Sequence, residues 1–274
     1  SFLICYPDVP VRALTWSPSQ AIDDFYPWDS TFYGPRWNYS QLSSNQTTMS
    51  VTYDLGTGNS QTVGYFLLGG AQILFANGVT QATLEGSNNG STWTAQLGTA
   101  SGFQTRTFSG PDGDDVLFMA GFNDQYAATL AAYRYFKVTI AGGSAHKFPV
   151  SKVYFGAAFD MGFEPATYDM EVVTEQDSDT WIYPRGHVIL SKAYHPRHRF
   201  TVEWDGLTDA KATSFATTIL DNPYRDHVFL YASTHADPLY DNKLVYCKVV
   251  DGECSIVKQG EDWNVIKAVF EESI

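Results

Sequence analysis

Basic side chains are scarce in this chain of 274 residues: 17 Lys and Arg stand against 30 Asp and Glu, a formal net charge of −13. Nucleic-acid binding needs clustered Lys and Arg to meet phosphates, so nucleic acid is not an expected partner. Long apolar runs are missing too. A spanning helix needs about 18 or more consecutive apolar residues, and none occur, so no membrane insertion is expected. The opening Ser1-Phe2-Leu3-Ile4-Cys5-Tyr6 has no basic region and a short apolar run, so it is not expected to act as a signal peptide. Cysteine is limited to three residues. Cys247 and Cys254 flank an expected hairpin with an Asp251-Gly252 turn. There they suit a disulfide if the register opposes them, half of a metal site shared between chains, or reduced thiols packed as small apolar side chains.

Catalytic signatures are absent as well. No G-x-S-x-G, phosphate loop, H-E-x-x-H or G-x-G-x-x-G ahead of a helix occurs. His187, His195 and His198 lie close in sequence, but Pro196 opposes the helix that would turn His195 and His198 to one side. The acidic turn Pro111-Asp112-Gly113-Asp114-Asp115 lacks the spacing and terminal Glu of a calcium loop. Nothing in the sequence places two carboxylates at glycosidase separation. No cofactor, no metal and no enzymatic activity are expected.

What the chain does have is aromatic: 17 Tyr, 18 Phe and 7 Trp, with 22 Gly and 12 Pro. Aromatics favour strands, and Gly and Pro punctuate them, so the composition leans towards β structure. Residues 1–50 carry Pro7, Pro10, Pro18, Pro27 and Pro35, which predicts an irregular segment. Within it Phe25, Tyr26, Trp28, Phe32, Tyr33, Trp37 and Tyr39 interleave with Asp23, Asp24, Asp29 and Arg36. An exposed cluster of this kind suits a sugar, whose apolar face stacks on a ring while its hydroxyls seek Asp, Asn and Arg. The alternative is a long loop packing its own aromatics against the end of a sandwich. Trp28, Tyr33, Arg36 and Trp37 are the expected ligand-binding residues.

From 49 to 156 short alternating runs follow one another at 49–55, 63–68, 82–85, 93–97, 105–108, 116–119, 133–140 and 150–155, with 124–130 as a possible helical turn. This predicts an antiparallel sandwich. Asn89-Gly90 marks a tight hairpin turn, and Trp93 beyond it is expected in the core. Asn38-Tyr39-Ser40, Asn45-Gln46-Thr47 and Asn89-Gly90-Ser91 match the N-glycosylation pattern, which bears only on a protein secreted from a eukaryote.

Four pieces fall in order: Asp54-Leu55-Gly56, Ser87-Asn88-Asn89-Gly90-Ser91-Thr92-Trp93, Arg134-Tyr135-Phe136-Lys137-Val138 and Val153-Tyr154-Phe155-Gly156. Residues 12–160 thereby resemble the discoidin, or F5/8 type C, family. The resemblance implies a galactose-binding-like jelly-roll with ligands held by loops at one end. Asn89 stands where that family usually has Asp, and its frequent pair of cysteines is missing.

Beyond 161 the Gly punctuation fades. Strands are predicted at 168–173, 199–204, 227–232, 243–250, 254–259 and 263–270. One helix follows Thr208 as N-cap and Asp209, with Ala212, Phe215, Ala216, Ile219 and Leu220 as its apolar stripe and Asn222-Pro223 as its stop. The closing Trp263-Asn264-Val265 … Phe270-Glu271-Glu272 resembles tail-tip proteins of long-tailed bacteriophages. The expected architecture is mainly β: a jelly-roll β-sandwich over 1–160 and a smaller α+β domain with one helix, tail-tube-like, over 161–274. The resemblances imply a structural component of a phage tail tip or baseplate, located in the virion. It would form a homo-oligomeric ring through its C-terminal domain, contact other tail proteins and touch a host-surface glycan. The alternative is a stand-alone microbial carbohydrate-binding protein.

Overall fold

The computed structural model describes residues 2–5, 13, 15–25, 27–28, 39–69, 74, 78–99, 105–108, 115–120, 131–162, 165–173, 180–182, 188–190, 197–221, 228–232, 243–250 and 252–272. The chain divides into two compact units, Ser1–Phe163 with Val228–Val245, and Glu164–His227 with Tyr246–Ile274.

In chain order unit 1 holds β1 (Phe2–Cys5), β2 (Thr15–Pro18), β3 (Gln46–Asp54), β4 (Gln61–Thr62), β5 (Tyr65–Gly69), β6 (Val79–Ser87) and β7 (Thr94–Thr99). It continues with β8 (Thr105–Phe108), β9 (Asp115–Ala120), β10 (Ala132–Tyr133), β11 (Tyr135–His146), β12 (Val153–Gly156) and β13 (Ala158–Asp160). One antiparallel sheet runs β2-β3-β11-β6-β7, and a second runs β12-β5-β9-β8. In β3 and β11 buried and open positions alternate, so Met49, Val51, Tyr53, Phe136, Val138 and Ile140 turn to one side. They meet Phe66, Leu68, Val153 and Phe155 in a single core. Phe155 stands at its centre, with ring centroids 5.1 Å from Tyr53, 5.7 Å from Phe136 and 6.5 Å from Phe66. The expected antiparallel β-sandwich is what the structure shows, and all four pieces of the discoidin resemblance lie at strands or strand ends of unit 1.

Residues 1–50 differ from the irregular segment predicted. Phe2–Cys5 and Thr15–Pro18 are strands, and Pro18 closes β2 at the edge of its sheet, where a missing N–H breaks no ladder. The unit boundary is also more complex than a cut at 160–161. Residues 228–232 form β18 (Val228–Ala232), which pairs antiparallel with β1 from Phe2↔Ala232 to Cys5↔Phe229 and therefore belongs with unit 1. Alternation along a strand reveals its faces but carries no information about which distant strand will pair with it. The expected turn at 124–130 lies outside the described residues.

Unit 2 contains β14 (Thr167–Val173), the small pair β15 (Thr180–Ile182) and β16 (Val188–Leu190), β17 (Arg197–Leu207), a helix, β20 (Ser255–Gly260) and β21 (Trp263–Glu272). Its main sheet runs β14-β17-β21-β20, antiparallel throughout. The helix α1 (Asp209–Phe215) begins as its sequence predicts, with Thr208 Oγ1 accepting from Lys211 N at 3.3 Å, and continues as a π-turn over Ala216–Leu220. Ala212, Phe215 and Ile219 are its buried side chains, and Phe215 packs on Trp204 of β17 at 6.1 Å.

The hairpin expected around Asp251-Gly252 is corrected. In β19 (Lys243–Val249), Cys247, Lys248 and Val249 pair with β21, and β20 pairs with the same strand, so both lie along one side of β21. Gly252, at φ 75°, and the bond from Glu253 N to Val250 O turn the chain outward between them as a bulge. Cys247 and Cys254 therefore do not oppose each other. Cys247 is buried, and the Cys254 thiol points at the carbonyls of Val250 and Val269 at 3.8 and 4.0 Å.

Candidate functional site

At the end of the sandwich where β3 begins and β11 stops, residues 39–42 run as a ribbon between two neighbours. On one side Ile22 bridges Leu42, and Asp23 N donates to Gln41 O at 3.0 Å. On the other, Ser40 and Val150 exchange two bonds of 2.8 Å, and Leu42 N donates to Lys147 O at 2.7 Å. Ser40 and Leu42 are buried, so Tyr39 and Gln41 point outward by the period of two. The Asp23 carboxylate ties this outer side together, accepting from Phe25 N at 3.0 Å and from Gln41 Nε2 at 3.3 Å. The resulting Asx turn presents Phe25 to solvent with 90% of its surface exposed, and Tyr39 is 37% exposed.

Trp28, expected to bind ligand, is instead fully buried in the core, its Nε1 donating to Tyr53 Oη at 2.9 Å. An indole in a β-sandwich core needs one acceptor for its N–H, and Tyr53 supplies it. Burial pushes the Tyr53 phenol far above its ordinary range, so it stays a neutral hydroxyl. Tyr33, Arg36 and Trp37 lie outside the described residues, in the segment between the anchored Trp28 and Tyr39. Phe25 is the exposed aromatic that sequence reasoning passed over. The signal that points to it is Asp23, two residues earlier, a turn-former that lifts the next residues off the surface.

The opposite end of the sandwich holds the residues of the discoidin resemblance, and there they lock strands. Arg134 Nε and Nη2 each reach Asp54 at 2.7 Å, a two-pronged ion pair joining the end of β3 to the start of β11. Gly56 N also donates to Asp54 Oδ1, at 2.8 Å with φ 88° at Gly56. The connection between β6 and β7 is a six-residue loop, 88–93, and not the two-residue turn expected. Asn89 Oδ1 accepts from Ser91 N and Thr92 N at 3.0 and 2.8 Å, the service an Asp carboxylate would also give. Trp93, expected in the core, lies outside it. Lys137 Nζ sits 4.5 Å from its ring and 2.8 Å from Glu85, on the outward side of β11.

The Asp54–Arg134 pair carries a pH signature. The bond to Arg134, aided by the Gly56 N–H, holds the Asp54 carboxyl below the usual carboxylate range despite desolvation. A carboxyl lowered on folding stabilises above its unfolded pKa of about 3.9, and that contribution is lost as pH falls through the folded value. Asp54→Asn is therefore expected to lower the urea midpoint at neutral pH and to flatten its decline below about pH 4. A variant whose acid limb matches the wild type would show that the pair is silent.

Among the described residues no group of three or more His, Cys, Asp or Glu side chains is placed to hold a metal. Residues 111–114 of the acidic turn, His187 and His195 lie outside them. No described helix is long and apolar enough to cross a membrane.

No protein-family model matches the chain, and no curated protein matches it. Solved structures do. A Ruminococcus gnavus GH29 fucosidase in complex with fucose is 14% identical over 53% of this chain and 25% of its own, with a TM-score of 0.37. Chitosan-binding module 1 from a chitosanase/glucanase of Paenibacillus sp. IK-5 is 18% identical over 52% of this chain and 94% of its own, with a TM-score of 0.36. CpGH89CBM32-6 of Clostridium perfringens is 11% identical over 52% and 90%, with a TM-score of 0.34. This chain thus spans a quarter of the fucosidase's length. None of the three is a phage tail protein, and the tail-tip resemblance of residues 162–274 finds no support in them.

Proposed function

We propose that unit 1 is a carbohydrate-binding module that holds a sugar at the Asp23–Gln41 end of the sandwich, without cleaving it. The observation that carries this reading is Phe25: an almost wholly exposed aromatic on a turn pinned by Asp23 to Gln41. Leaving that ring in water is unfavourable by the ordinary cost of exposed apolar area, which a stacked pyranose would relieve. Tyr39 and Gln41 share its outward side, so an aromatic ring, an amide and a carboxylate converge where sugar hydroxyls need partners. In sequence, Tyr33, Arg36 and Trp37 follow Phe25 within twelve positions, and they are the further candidates for stacking and for bonding a sugar hydroxyl. The discoidin resemblance points to loops at one end of the sandwich for the same purpose.

The test is retention on immobilised polysaccharides, followed by titration calorimetry with the oligosaccharides retained. Phe25→Ala and Trp37→Ala are each expected to weaken binding by about fivefold or more, about 1–3 kcal/mol, with melting temperature unchanged. Retention by both variants at wild-type strength would remove this end of the sandwich from consideration. A melting temperature that falls with Trp37→Ala would place that indole in the core beside Trp28. Release of reducing sugar from a retained polysaccharide would make the protein an enzyme and end the binding-only reading.

A further inference from the structure

We propose that β20 is the contact strand of a homodimer, in which two copies join their unit 2 sheets edge to edge about a two-fold axis through Val257. Among the described residues β20 pairs with β21 alone, and every one of its residues except Ile256 is exposed. An open strand edge carries a row of backbone donors and acceptors ready to pair with another strand. Such edges are commonly guarded by an outward lysine. Lys258 does not serve this way, because it reaches to the helix side of the sheet and binds Asp209 at 2.5 Å.

The other face of the β20–β21 hairpin carries an apolar strip between Ser255, Gln259 and Lys267. Val257 lies directly opposite Val265, and Trp263 stands two residues along the same face. Val257 and Trp263 are 51% and 50% exposed. Trp263 Nε1 donates to Asp205 Oδ1 at 2.8 Å, and the indole rests against Gly206, at φ 77°, where a Cβ would stand 3.7 Å from the ring. The N–H is engaged and the ring is held in place. What Trp263 still offers a partner is apolar surface at little entropic cost, the property of an interface anchor.

A second copy fits this edge better than other occupants. Antiparallel pairing centred on Val257 sets Val257 against its own counterpart, Ser255 against Gln259 and Ile256 against Lys258. Within the strand no like charges face one another, Glu253 and Glu261 oppose each other just beyond its ends, and the three apolar side chains of each copy merge into one strip. The contact is isologous and closes as a dimer. The contact is small, and the net charge of −13 makes the copies repel. A weak dimer is therefore expected, one that dissociates on dilution and tightens as salt screens the repulsion.

Sedimentation velocity of the full chain across a wide concentration range decides the matter. The wild type is expected to shift from monomer to dimer, with the shift moving to lower concentration in added salt. Val257→Lys, which sets two ammonium groups opposite each other at the axis, is expected to weaken the dimer by about tenfold or more without altering the melting temperature. Asp169→Lys, on the far strand β14, is expected to leave it intact. The proposal is overturned if the wild type is monomeric at every concentration, or if Val257→Lys dimerises like the wild type. A monomer that loses glycan retention on Trp263→Ala would also overturn it, by giving the indole to a sugar.

Discussion

Replacing Trp28 by alanine is expected to lower the stability of unit 1 by about 3–5 kcal/mol, the usual cost of deleting a buried indole. For a unit of this size that corresponds to roughly 6–20 °C in melting temperature. Two effects add. The side chain is fully buried among Leu42, Tyr53, Phe148 and the rest of the core, so its removal leaves a cavity bounded by strands that cannot close in. Its Nε1 is also a bonding partner of the Tyr53 hydroxyl, itself wholly buried. Trp28→Phe separates the two effects. It keeps most of the apolar volume while leaving that hydroxyl without its indole donor, for about 1–3 kcal/mol. Adding Tyr53→Phe should then recover part of the loss, because a deleted hydroxyl no longer needs a partner. Loss of glycan retention by Trp28→Ala at unchanged melting temperature would refute the core assignment and return Trp28 to the binding site.

Gly86→Ala is the second large effect, expected to cost about 1–3 kcal/mol through overpacking. A Cβ built on Gly86 would stand 2.2 Å from Tyr133 Cδ2, 2.6 Å from Cγ and 2.8 Å from Cε2. These are ring atoms, not the tip of a flexible chain. The ring has little room to retreat: it packs on the core, and Tyr133 pairs through its backbone with Gln61. Gly86 itself pairs with Phe136 and Thr94 on its two sides, so the strand cannot yield either. The decisive comparison is the double variant Gly86→Ala with Tyr133→Ala. If the ring is the obstacle, the second change costs less in the Gly86→Ala background than alone, and a strictly additive pair would contradict the close approach.

Glycine at 86 shows how partial the sequence signal is. Within Leu84-Glu85-Gly86-Ser87 it resembles ordinary turn punctuation, yet it sits inside β6 and is required by a tyrosine 47 positions later. The discoidin-like pieces behave in the same way. Asp54-Leu55-Gly56 and Arg134-Tyr135 are visible as words, but the bidentate pair between Asp54 and Arg134 exists only once β3 and β11 lie side by side. For the candidate site the signal was weaker still. The aromatic cluster from Phe25 to Tyr39 was evident, whereas the choice of which ring faces water was not. A proline-rich loop has no period of two or 3.6 to sort its side chains, so Trp28 and Phe25 were equivalent until each found its place.

What the sequence determined by itself was everything local. Alternation in β3, β6, β11, β17 and β21 announced strands and their buried faces. Thr208, followed by apolar residues at 212, 215 and 219, announced one capped helix with its packing stripe. Few basic residues and an aromatic, Gly-punctuated chain announced a β-rich protein with little to offer a phosphate backbone. These follow from backbone geometry and solvation, which act over a few residues. The tertiary structure alone decided the partnerships: β18 with β1, β20 beside β19 along β21, Trp93 under Lys137 outside the core, Trp28 inside it and Phe25 out in solvent. Each is a contact between distant stretches, selected by the packing of the whole unit, and no window of sequence contains both partners.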